Sequence, residues 1–138
     1  MRVAQWVKST LLFTALWASG LWLAYAHDYV FCYESLSCSI SPSESVLSGL
    51  PFLTVEVIVL YALLRPVSFN LSWGRALLAW ATFAAWFWFL LSGVMHSPGW
   101  YIANLFWVGM VLLALSVLVV ITGGSAVIRR LRHGRSGT

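Results

Sequence analysis

Residues 46–64 read VLSGLPFLTVEVIVLYALL, an apolar run with a single ionisable side chain, Glu56. A helix needs about 20 mostly apolar residues to cross a hydrocarbon core of about 30 Å. The run is apolar on every face and lacks period-two alternation, which argues against a strand of a membrane barrel. Three further stretches have the same character, at about 6–25, 76–95 and 101–122. The expected fold is therefore all-α: one integral membrane domain over residues 1–138, a bundle of four antiparallel transmembrane helices.

Composition excludes the main alternatives. Of 138 residues, 61% are hydrophobic and 9% charged, and mean hydropathy is +0.87. A soluble domain normally carries about a quarter charged residues. Eight basic and four acidic side chains cannot cover a water-facing surface of this size. Disorder needs low hydrophobicity and high charge, the reverse of what is found.

Local punctuation agrees with these limits. Pro66 removes the donor needed to continue the second helix, and Ser72 is placed to cap the third. Ser97-Pro98-Gly99 is a short turn signal, which makes the third and fourth helices adjacent and antiparallel. Trp6, Trp22, Tyr25, Trp73, Trp100 and Tyr101 fall near helix ends, where amphipathic rings prefer the headgroup level.

Basic residues set the expected orientation. They occur at Arg2 and Lys8, at Arg65 and Arg75, and at Arg129, Arg130, Arg132 and Arg135. The first loop, 26–45, and the third loop have none. Positive residues stay on the cytoplasmic side. Both termini and the second loop are thus expected inside, with 26–45 as the longer extracytoplasmic loop and 123–138 as a basic cytoplasmic tail that meets lipid headgroups. A second reading of the N-terminus stays open, because Arg2, Lys8, the apolar run and Ala24-Tyr25-Ala26 also resemble a cleaved signal peptide. The run from Ser9 to Ala26 exceeds the usual apolar core of such peptides, which favours a retained anchor.

Glu56 is the sharpest chemical feature. It stands ten residues into the apolar run, near the bilayer midplane at about 1.5 Å per residue. A charge at that depth costs on the order of 3 kcal/mol. Arg65 is roughly 13 Å further along the same helix and out of reach. The carboxyl therefore needs hydrogen-bond partners, and Thr14, Trp17 and Trp86 are expected at similar depth. Such a residue is either a proton- or ligand-binding site or a polar lock between helices.

The remaining polar residues carry weaker signals. His27, His96 and Asn104 are expected at the outer boundary, with His96 and Asn104 close enough to share a hydrogen bond. A metal site needs three or four ligands, so neither a metal nor another cofactor is expected. Cys32 and Cys38, in the first loop, are either a short disulfide ring or two reduced thiols. Gly20 with Ala24, and Ala81 with Ala85, offer small-residue seams for helix packing.

No phosphate-binding, zinc-protease or serine-hydrolase motif is present, so a non-catalytic protein is expected. The leading functional expectation is a small multi-pass inner-membrane accessory protein of a bacterial cell. It would work by docking to another membrane or periplasmic protein, for instance as an immunity protein against a membrane-targeting toxin. The alternative is a proton- or cation-handling transporter or channel component using Glu56, and self-association would bring several copies of that residue together. Nucleic acid is not an expected partner, because the cations are split between helix ends.

Overall fold

The computed structural model describes residues 2–30, 41–64, 72–93 and 99–135. These form four α-helices: α1 (Arg2–Asp28), α2 (Pro42–Leu64), α3 (Trp73–Ser92) and α4 (Gly99–Arg135). Each contains a segment long and apolar enough to cross a membrane, namely Trp6–His27, Val46–Leu64, Trp73–Ser92 and Trp100–Arg132. The chain is an all-helical bundle with the composition of a membrane protein.

Each helix buries one narrow stripe. Leu53, Val57 and Leu60 of α2, Ala76, Ala79, Phe83 and Leu90 of α3, and Trp107, Val108, Val111 and Leu115 of α4 are buried. Spacings of three, four and seven, with Trp107 and Val108 adjacent, place each set on one helix face. The outward faces are also apolar. Trp88 is 72% exposed and Leu113 and Val120 are similarly uncovered, as expected where lipid replaces water outside the bundle.

Pairwise contacts fix the arrangement. Between α1 and α2, Ser9 Oγ donates to Tyr61 Oη and Trp17 Nε1 to Thr54 Oγ1, while Leu53 lies against Gly20. Between α3 and α4, Trp73 lies on Gly123, Trp80 Nε1 donates to Ser116 Oγ, and Phe87 covers Gly109. In both pairs, partner numbers fall on one helix as they rise on the other, so these neighbours are antiparallel. Trp107 Nε1 of α4 donates to Ser19 Oγ of α1. The α2–α3 seam is looser than the other three seams of the ring.

Gly20 and Gly123 are small for a reason. A Cβ on Gly20 would come within 2.5 Å of Leu53 Cδ1, and one on Gly123 within 2.9 Å of Trp73 Nε1. The expected Gly20–Ala24 seam is thus a packing surface, with Ala24 buried. Ala81 and Ala85 instead face outward, because α3 packs through Ala76, Ala79 and Phe83.

Helix limits depart from the expected ones in instructive ways. The second helix begins at Pro42 rather than Val46. Ser41 Oγ accepts from the Glu44 amide, and Glu44 Oε2 accepts from the Ser41 amide, a reciprocal capping box with proline in the first turn. Ser72 caps α3 as expected, its side chain accepting from the Arg75 amide. The first helix runs past 25 to Asp28, α3 spans Trp73–Ser92 rather than 76–95, and α4 starts at Gly99. The expected tail from 123 onward is helical to Arg135. Gly123 and Gly124 cost about 1 kcal/mol each in a helix, too little to end one whose flanks on both sides favour it.

Candidate functional site: a buried acid beside an apolar groove

Glu56 lies on the buried stripe of α2, between Leu53, Val57 and Leu60, and is 6% exposed. Its Oε1 accepts two hydrogen bonds. One comes from Trp86 Nε1 of α3, and the other from Asn104 Nδ2 of α4 at 2.8 Å. Glu56 Oε2 is buried and has no hydrogen-bond partner. A polar atom left bare in this way is uncommon in folded proteins. The carboxyl joins three helices through one oxygen and leaves the other vacant.

The sequence expectations meet this geometry unevenly. Trp86 is a partner of Glu56, as expected. Trp17 is not: its indole goes to Thr54, whose hydroxyl in turn donates to the Leu50 carbonyl. Thr14 is exposed on the outer face of α1, because the inner stripe of that helix runs through Phe13, Leu16 and Trp17. Asn104, expected near the boundary beside His96, binds Glu56. The reason is register. Trp100 stacks on Phe52 with ring centroids 5.0 Å apart, so one turn further along both helices Asn104 stands level with Glu56. The residue was findable: Asn104 is the only side-chain amide within any of the four apolar runs.

The same stacked pair sets how the acid is reached. Asn104 is about 8 Å of helical rise from the start of α4, and Trp86 about 9 Å from the end of α3. Glu56 is therefore central on α2 but close to the end of the bundle where α3 and α4 connect. On that side the Phe52–Trp100 stack lies one helical turn away.

Sideways, Glu56 borders a groove between α2 and α3 with a volume of about 720 Å³. Phe52, Val55 and Val59 form one wall and Phe83, Ala85 and Phe89 the other. Phe52, Val55, Val59 and Phe89 are exposed, so the groove opens on the lipid-facing side. Pro51 lies at one end. The lining is almost wholly apolar apart from Glu56, the Trp86 indole and Thr82, and the Thr82 hydroxyl is directed to the Leu78 carbonyl.

Other candidates fall elsewhere. His27 is half-buried near the end of α1. His96, Cys32 and Cys38 lie outside the described residues, so the disulfide reading and the His96 contact stand as expectations. Arg129, Arg130 and Arg132 are exposed on the last turns of α4, where Arg129 Nε donates to the Ser125 carbonyl at 3.3 Å. Arg135 is the last helical residue. Among the described residues, no group of three or more His, Cys, Asp or Glu side chains could hold a metal ion. No family model matches the chain, and neither curated proteins nor solved structures provide a match.

Proposed function

We propose that this is a non-catalytic multi-pass accessory protein that acts by binding a partner from within the bilayer, with the α2–α3 groove as its working face. The observation that carries the reading is Glu56, which lines that groove and has a buried Oε2 with no hydrogen-bond partner. A carboxyl serving only to lock helices would be stabilised best with both oxygens occupied, since an unsatisfied buried acceptor costs about 1–3 kcal/mol. An intramembrane acid bordering an apolar cavity is the arrangement of a recognition site. Proton or cation conduction is the weaker reading, because it requires further polar groups along a wet path, and the groove supplies few.

The distribution of basic residues supports placement in a bacterial inner membrane, with both termini and the second loop on the cytoplasmic side. The groove then opens sideways into the membrane, and the Phe52–Trp100 stack faces the periplasmic end.

A photoreactive residue placed at Ala85, in the groove, and at Ala114, on the exposed face of α4, tests the reading in growing cells. A discrete adduct at Ala85 that disappears on Glu56→Gln supports it. Equal adducts at both positions, or an Ala85 adduct indifferent to Glu56→Gln, would overturn it.

A further inference from the structure

We infer that the groove takes a small lipophilic ammonium ion, its apolar body lying between α2 and α3 and its N–H donating to Oε2 of Glu56. This rests on the reading of the groove as the binding face and adds the chemical class of the occupant.

Three observations converge. The first is size. The groove runs from Pro51 to Val59 on α2, about 12 Å at 1.5 Å per residue. A transmembrane helix presents a face of about 30 Å, so the groove accepts only two turns of one. Its volume of about 720 Å³ lies within the range of about 300–1,000 Å³ typical of small-molecule sites.

The second is hydrogen-bond demand. Glu56 Oε1 accepts from Trp86 and Asn104 and Oε2 has nothing, so an occupant that meets the ionised carboxylate must supply a donor. Oε2 is buried, but the terminal torsion of a glutamate is broad and roughly two-fold. Contact with the occupant therefore requires that torsion to turn Oε2 out of its buried position.

The third is charge complementarity. Both partners of Glu56 among the described residues are neutral donors, so an ionised carboxylate there lacks a countercharge. A buried charge is tolerated when paired and hydrogen-bonded, and an ammonium provides both in one group. The walls suit the same ligand. Phe52, Phe83, Trp86 and Phe89 line the groove, and aromatic faces attract cations, more strongly when water is absent. A neutral alcohol would satisfy Oε2 but leave the charge uncompensated, and an anion would meet a like charge.

Binding is measured on the full-length protein in phosphatidylcholine nanodiscs with a naphthylbutyl ammonium probe. Comparators are its N-acetyl amide, which keeps an N–H but loses the charge, and the corresponding naphthyl carboxylate. The ammonium is expected to bind saturably, one per chain. The amide should bind about tenfold or more weakly, the difference between a hydrogen bond from a charged donor and one from a neutral donor, and the carboxylate should not bind. Ala85→Trp fills the groove while keeping Glu56, Trp86 and Asn104, and it should abolish binding in a protein whose helix content and elution are unchanged. Glu56→Gln should lower ammonium affinity by about tenfold and leave the amide unaffected.

Equal binding of ammonium and amide, or ammonium binding that survives both substitutions, would overturn the inference and assign the groove to neutral lipid. If the ammonium fails while the Glu56-dependent adduct at Ala85 persists, the ligand class is wrong and the binding face stands. If both fail, both readings fall.

Discussion

Asn104 of α4 donates to the same oxygen of Glu56 that Trp86 of α3 uses, so three helices meet at one atom 2.8 Å from the Asn104 amide nitrogen. The bond spans 48 positions of sequence. It places a helix–helix tie and a vacant acceptor on one side chain, and the two roles are separable by mutation.

Asn104→Leu removes one donor and leaves Oε1 with Trp86 alone. Unfolding in mixed detergent micelles should show a loss of about 0.5–1.5 kcal/mol, the net contribution of one hydrogen bond. Adding Glu56→Leu should cost less than the sum of the two single changes, because both remove the same bond. Additive losses would show that the pair is not coupled.

The glycines predict opposite outcomes on two helices. Gly20→Val drives a side chain into Leu53 and should destabilise by about 1–3 kcal/mol, as overpacking does. Gly124 has nothing within 4 Å of where a Cβ would stand, so Gly124→Ala should stabilise α4 by about 0.5–1 kcal/mol through helix propensity. Denaturant midpoints of the two variants check both signs in one experiment.

Protein reconstituted into liposomes loaded with a pH-sensitive dye should show no Glu56-dependent proton flux. The groove is nearly devoid of polar lining, which leaves a proton no chain of groups to follow. A flux abolished by Glu56→Gln would replace the binding reading with the transport one.

Reporter fusions give the orientation. Alkaline phosphatase inserted in the segment 31–40 should be active, and a fluorescent protein fused after Thr138 should light up inside the cell. The reverse pattern would invert the arginine-based assignment.

Much of the fold was legible because apolar length is a one-dimensional signal. Four runs gave four helices, and Ser72 was readable as a cap. The start of α2 was legible too, but only through chemistry rather than hydropathy: Ser41-Pro42-Ser43-Glu44 carries the capping box while lying outside the apolar run. The site was half legible. Glu56 stood out by cost alone, and Trp86 by depth. Thr14 and Trp17 were misassigned because depth says nothing about which face of a helix a residue occupies. The Asn104–Glu56 contact was missed because the level of α4 relative to α2 follows from the Phe52–Trp100 stack, a contact between distant residues. The groove had no sequence signature, since it arises from where α2 and α3 pack loosely.

The length of α4 has its own mechanical result. Trp73, the first residue of α3, lies on Gly123, yet α4 continues to Arg135, about 18 Å beyond that level at helical rise. Headgroup zones are only about 5–8 Å deep. With Trp73 at the edge of the hydrocarbon core, the last turns would carry Arg129, Arg130 and Arg132 past the headgroups on the same unbroken helix that bears Asn104.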